Sequence, residues 1–541
     1  MDEIRDVLGG NWEKAVLFLK GNGLNENNID RQENDIAKAV MINHDMINDP
    51  FVRKSIYQLI CNRIDEAKIG VIKVHGNFSI ASGDLYALCQ SMFGLEVTGI
   101  LKAGEIYNGY WDGQDATELV CFRAPMTTHE NIRHVYPVNR DDVSYWYQYM
   151  QTCTVFNAWD TAMSALNGMD FDGDLVMLTD NPVLVRCHKE LPALMCAQRK
   201  AEKRISNEED FIKSNIDSFG NEIGQTTNWV TSMFEVRSRF EPESEEYKIL
   251  TYRIQCGQLY QQNAIDKAKG IICKPMPRAW YDRYTINKIG DDNTKTLYRS
   301  IIADKKPYFM IYIYPALMKQ YNQFMKNTNR NSLREFQLTI DELKAIPQEE
   351  LTASQSEFLK YFDHRMPVGT SDCVINKICH RFEEEFDGYI KKYKDTADFD
   401  YTIMKSDTDY TPVQFYNIKS IYENYNQRLK NYMIFSNYER IDKYDSHLEL
   451  VAMTEEFRAE CSKICPNEKA LCNIVLDLCY RRSSTKKFAW DICGDAIISN
   501  LLTKNNNTIS FPKMSADGEI QYCGNSYTIE TKELEVVDDY T

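Results

Sequence analysis

The stretch NGMDFDGDLVML, Asn167 to Leu178, sets Asp170, Asp172 and Asp174 at alternate positions, with Gly173 between the last two. In an extended segment alternate residues point the same way, so the spacing puts three carboxylates on one side. Unpaired, they repel one another. A hard divalent cation removes that conflict. Mg²⁺ takes oxygen ligands and keeps positions open for water and phosphate. Gly173 has no side chain, so a nucleotide backbone can come close there. The apolar LVML that follows anchors the loop as a buried strand. A calcium EF-hand begins with a similar acidic alternation. Its loop position 6 needs Gly and position 12 needs Glu, but counting from Asp170 these are Leu175 and Asn181, so that reading fails. A solvated acidic turn and a non-catalytic metal site are the remaining alternatives. Phe171 and the apolar run argue against full exposure.

The chain has 541 residues, and about 150 residues per domain suggests three or four units. With 43% hydrophobic and 12% aromatic residues it has ample material for packed cores. No apolar run approaches the roughly 18 residues of a membrane span. The start, MDEIRDVLGGNWEKAV, lacks the basic-then-apolar layout of a signal peptide. A cytoplasmic protein is expected. The 16 cysteines contain no CxxC pair and read as buried free thiols. Their tightest grouping, CSKICPNEKALC (461–472), has no histidine nearby, which leaves a zinc site as the lesser reading. A net charge of −16 argues against a protein that simply coats nucleic acid, though not against a local cleft. Basic clusters stand at 199–204, 267–270 and 481–487. The first and last read foremost as solvated faces.

Residues 30–70 read as helix from the period of their apolar positions. Between 70 and 185, the short runs IGVIKV, LEVTGI, ELVCFRA and DLVMLT alternate with Gly, Asn and Asp turns, which suggests a compact β-barrel. From 186 to about 290 the pattern turns helical, with LPALMCAQRKAEKR and YRIQCGQLYQQNAIDKAK. Residues 291–500 continue so, and a hairpin around SADGEIQYCGNSYTIE precedes an acidic tail. There is no internal repeat.

The DFDGD segment resembles the catalytic signature of the two-barrel RNA polymerases. That family includes the large subunit of cellular DNA-dependent enzymes, the eukaryotic RNA-dependent enzymes of silencing, and single-chain phage relatives. CFRAPMTTHENIRHVYPV (121–138) is similar to the segment that precedes the aspartates there: a basic residue, x-Pro, then an Arg. NAIDKAKGIICKPMP (263–277) resembles a stretch near the bridge helix of the silencing enzymes, although Lys269 is followed directly by Gly270 where the family has Thr-Gly. KKFAWDICGDAI and residues 49–84 are similar to the family more faintly. The resemblance spans roughly 45 to 500 and is specific around 121–178.

The resemblance implies an α+β fold: one double-psi β-barrel bearing the catalytic loop, followed by a large helical region. The segments expected are a helical entry region (1–65), the barrel (66–185), a helical region with a bridge-helix-like part (186–290), and a mainly helical head or clamp (291–541). The implied activity is template-directed nucleotidyl transfer to an RNA 3′ end. Asp170, Asp172 and Asp174 are the implied catalytic metal ligands for two Mg²⁺, with Mn²⁺ as a substitute. Arg123, Arg133, Gly173, Asp266 and Lys269 are implied to meet substrate or nucleic acid. Partners are nucleoside triphosphates, a DNA or RNA template and an RNA product. Phe171 within the triad favours DNA as template, and the downstream matches lean towards RNA. A phage or prophage origin is expected, in an infected host or packaged in the virion. One departure stands out: only about 70 residues, of helical character, precede the aspartate-bearing barrel. The lysine-bearing first barrel is therefore expected on another polypeptide, and a non-catalytic assembly subunit or fragment is the rival reading.

Overall fold

A computed structural model describes residues 2–21, 24–25, 28–29, 35–202, 205, 207–218, 221–392, 399–439, 443–481 and 485–534. Lys203, Arg204 and residues 482–484 of the two outer basic clusters lie outside the described residues, as does the acidic tail from 535. The fold is mixed α+β, with a closed barrel and a large helical region. Its contacts form two units, residues 65–384 and residues 1–64 with 385–541.

The barrel belongs to the first unit. Its strands are β1 (Asn77–Gly83), β2 (Glu105–Asn108), β3 (Leu119–Phe122), β4 (Arg133–Pro137), β5 (Cys153–Phe156) and β6 (Leu175–Thr179), closed in the order β1-β5-β2-β4-β3-β6. β1 pairs parallel to β5 and β2 parallel to β4, while the other four pairings are antiparallel. Advancing every strand number by three maps this pairing pattern onto itself. The β1–β2 connection crosses β5, and the β4–β5 connection crosses β2. Alternation fills the interior: Ala81, Ile106, Cys121, Val135, Phe156, Val176 and Leu178 pack with Leu166 and Met169 from the aspartate loop's approach. A polar knot sits in the wall, where the Asn108 amide donates to Thr154 Oγ1 (2.8 Å) and Ser79 Oγ (3.1 Å).

The runs ELVCFRA and DLVMLT become β3 and β6. IGVIKV and LEVTGI do not form strands, and β1, β2, β4 and β5 lie elsewhere. Residues 71–72 and 95–97 are exposed, so their β propensity finds no partner strand. Residues 191–199 also depart from expectation. They are not helical, and the segment ends in an antiparallel bridge between Lys200 and Ile271. Two helices complete the surroundings of the barrel, α1 (Glu222–Arg237) and α2 (Glu245–Ile265). They cross closely at Gly257, where a Cβ would meet Val230 Cγ2 at 2.3 Å.

The second unit is built on helices Lys443–Ile464, Glu468–Tyr480 and Lys487–Lys504, with a three-stranded sheet over 508–533 that contains the expected hairpin. Cys461, Cys465 and Cys472 are buried free thiols here, and burial pushes the Cys461 thiol up to about 12. Among the described residues no group of three metal-ligating side chains is assembled, so the zinc reading of this segment has no support.

Asp49, fully buried ahead of helix Pro50–Lys68, accepts from Tyr480 Oη (2.7 Å) and from the Val52 amide (3.2 Å). Burial outweighs these bonds and raises its carboxyl to about 6. The folded state therefore holds the proton more tightly than the unfolded chain. Stability from this group is greatest below pH ~4, falls as pH rises through about 4–6, and stays low above that. Asp49→Asn should remove this dependence and stabilise the chain by roughly 2 kcal/mol at pH 7.5 relative to its effect at pH 4. Urea unfolding at the two pH values measures it.

Candidate active site

The aspartate loop leaves the barrel core at Leu166 and Met169 and re-enters it at β6. Two residues bend it: Asn167 at φ +57° and Gly168 at φ +64°. Asn167 is buried, and its amide donates to the Pro125 carbonyl (2.5 Å) and to Gln261 Oε1 (2.9 Å). Gln261 in turn donates to Thr227 Oγ1 (2.7 Å). The loop base is thus tied to the β3–β4 connection and, through α2, to α1. Gly168 lies against Gln262, whose Nε2 would be 2.3 Å from an added Cβ. Gly168→Ala should cost about 1–2 kcal/mol, chiefly from backbone strain at positive φ since Gln262 can swing away. Thermal unfolding of the variant checks this.

The three aspartates differ in surroundings. Asp174 is partly buried. Its Oδ2 accepts from the Asp170 amide (2.8 Å), closing the loop on itself, and its Oδ1 pairs with Arg123 Nη2 at 2.7 Å. Arg123 also donates from Nη1 to the Asn167 carbonyl (3.2 Å), so one guanidinium spans both ends of the loop. Asp170 is exposed and pairs with Lys269 Nζ at 2.6 Å. Lys269 is held by Asp266 as well (3.1 Å), and Asp266 accepts from Gln198 (2.8 Å). The Asp170 bond, followed by Asp266, raises the lysine's affinity for its proton. Asp172 is exposed and has no hydrogen bond or ion pair among the described residues. Gly173, at φ +117°, has no atom within 4 Å of an added Cβ, so this side of the loop is open.

A pocket of about 390 Å³ adjoins Asp170 and Lys269. Met169, Met195 and Ile271 give it apolar walls, and Gln198, Gln262 and Lys200 give it polar ones.

The structure brings Arg123, Asp266, Lys269 and Gly173 to the aspartate loop. Arg133 goes elsewhere: it donates to the Leu191 carbonyl (3.0 Å) and makes no bond to the loop among the described residues. The gathering of all three carboxylates around one point, expected from their spacing, is not found. Two of them are already engaged by cations, Asp174 by Arg123 and Asp170 by Lys269. The donor set still suits Mg²⁺, because all its side-chain ligands are carboxylate oxygens and Asp172 has no competing partner. Assembly requires Lys269 to release Asp170. Sequence reasoning missed Asn167, Gln198, Gln261 and Gln262. The signal for Gln261 was present: a polar residue on the buried stripe of α2, with Gln258 and Arg253.

No family model and no curated protein matches the chain. A solved structure similar to it is an RNA dependent RNA polymerase, QDE-1 from Thielavia terrestris, at 11% identity and a TM-score of 0.33, covering 93% of this chain and 55% of that one. The chain spans about half the length of that polymerase. No described helix is long and apolar enough to cross a membrane.

Proposed function

We propose that this chain is the catalytic part of a two-barrel RNA polymerase, adding nucleotides to an RNA 3′ end on a DNA template. One observation carries the reading. The DFDGD loop enters the last strand of a closed, pairwise-symmetric barrel, and two cations, Arg123 and Lys269, already bind it. The crossed strand connections support the double-psi barrel that the sequence resemblance implied. The reaction is an in-line attack of the 3′-hydroxyl on the α-phosphorus, with pyrophosphate leaving. Asp170, Asp172 and Asp174 would hold Mg²⁺, which when bound would neutralise charge at the attacking and leaving oxygens. Arg123 fixes the loop's two ends, and with them the positions of the carboxylates. Lys269, more than half exposed, swings from Asp170 to an anionic phosphate once that carboxylate is otherwise engaged. The second barrel this reading requires comes from outside these 541 residues.

The closed ion pairs favour one rival, a non-catalytic subunit whose aspartates are neutralised by its own cations. Material purified from its natural source, supplied with a 5′-labelled RNA primer bearing a free 3′-hydroxyl, Mg²⁺ and nucleoside triphosphates, separates the two. The proposal expects extension on a DNA template. Extension only on RNA would move the enzyme to the RNA-dependent class. Extension unchanged by Asp172→Ala would leave the scaffold reading.

A further inference from the structure

The second unit holds a cavity of about 860 Å³, within the ~300–1,000 Å³ range of small-molecule sites. Three elements enclose it: the first half of helix Pro50–Lys68, Leu429 of helix Pro412–Glu439, and residues 485–487 at the start of helix Lys487–Lys504. One side is apolar, made by Pro50, Phe51, Leu59 and Leu429. Phe51 is held there by stacking on Trp490, with ring centroids 5.5 Å apart. Leu59 is 45% exposed. The other side is cationic. Lys54, Lys486 and Lys487 line it, and no acid does.

Part of that charge is already engaged. Lys487 Nζ pairs with Asp491 at 2.7 Å. Lys486 Nζ lies over the Tyr480 ring, 5.5 Å from its centroid, a contact that leaves its charge in place. Lys54 is exposed and makes no ion pair or hydrogen bond among the described residues. Three lysines less the one carboxylate leave two positive charges, in a chain whose net charge is −16.

The two sides together select the ligand. A bare inorganic anion would leave the apolar side empty. An acyl chain would press hydrocarbon against Ser55, Gln58 and Thr485, which also line the cavity. Gln58 donates from Nε2 to Asn62 Oδ1 (3.1 Å), so its carbonyl oxygen is left to accept. A dianionic phosphate on a flat body with hydrogen-bonding edges satisfies all three groups of residues. We propose that this cavity binds a free nucleoside monophosphate, with the phosphate at Lys54 and Lys486 and the base against Phe51, Leu59 and Leu429. It shares no residue with the aspartate loop and its pocket, and it does not rest on the polymerase reading.

Calorimetric titration of the full chain with AMP, GMP, CMP and UMP tests this, beside inorganic phosphate, adenosine and dihexanoyl phosphatidic acid. At least one of the four nucleotides should bind, one per chain, and at least ~10-fold more tightly than phosphate, adenosine or the lipid. Lys54→Glu should weaken that binding by at least ~10-fold, and Leu59→Gln should weaken it too. Both positions are exposed, so the melting temperature without ligand should not move. Lys319→Glu, at an exposed lysine of helix Pro315–Phe336 in the other unit, should leave binding unchanged. Binding that survives Lys54→Glu and Leu59→Gln would place the nucleotide elsewhere and overturn the assignment. So would no binding by any of the four, binding of phosphate alone as tight as that of the nucleotides, or tighter binding of the phosphatidic acid.

Discussion

Asp172→Ala should lower nucleotide addition by at least ~10³-fold, the equivalent of roughly 4 kcal/mol at the transition state, and leave the melting temperature where it is. The two effects separate because Asp172 has no partner to lose: it is exposed, and no described group binds it. Asp174→Ala should be equally inactive but less stable. It strips a largely buried guanidinium of its ion pair and the Asp170 amide of its acceptor, a loss of about 1–3 kcal/mol. Asp170 lies between them. Its exposed pair with Lys269 contributes under about 1 kcal/mol. A purely structural role for the loop predicts another pattern, in which activity falls in step with stability across the three variants. Calorimetric melting and single-nucleotide addition, measured on the same preparations, tell the two patterns apart.

Arg123→Met should be the most damaging change outside the three aspartates. The guanidinium reaches Asp174 with one nitrogen and the Asn167 carbonyl with the other. Without it, Asp174 is left partly buried and unpaired, and the strained Asn167–Gly168 bend loses its strap. About 1–3 kcal/mol of stability should go, and nucleotide addition should fall ~10²–10³-fold as the carboxylates lose their positions. Arg123→Lys distinguishes charge from geometry. An ammonium can hold Asp174 but cannot span both ends of the loop, so lysine should restore most of the stability and little of the rate. Full recovery of the rate by lysine would mean that charge alone matters at this position.

The aspartate loop and the strand after it could be read in the sequence because alternation and an apolar run are local signals. So could the long helix containing Gln258 and Gln261, and the hairpin near the C-terminal end. Strands β1, β2, β4 and β5 could not. They are four to seven residues long, and NFSIASG carries small and polar residues at positions decided by packing inside the barrel. The two runs mistaken for strands, around 71–74 and 95–100, are β-branched and apolar but exposed. In the second of them the error has a physical cause: side chains suited to a sheet or an interface look alike when only one chain is in view. The ion pairs of Asp174 and Asp170 were equally beyond reach, since their partners, Arg123 and Lys269, lie 51 and 99 residues away along the chain.

The central claim is that this loop carries nucleotidyl transfer. Single-turnover addition of one nucleotide to a 5′-labelled RNA with a free 3′-hydroxyl, by natively assembled material containing either the wild-type chain or the Asp170→Ala, Asp172→Ala, Asp174→Ala triple variant, separates the outcomes. Mg²⁺-dependent addition is expected from the wild type, and none above background from an equally folded, equally assembled triple variant. Addition at the wild-type rate by that variant would contradict it.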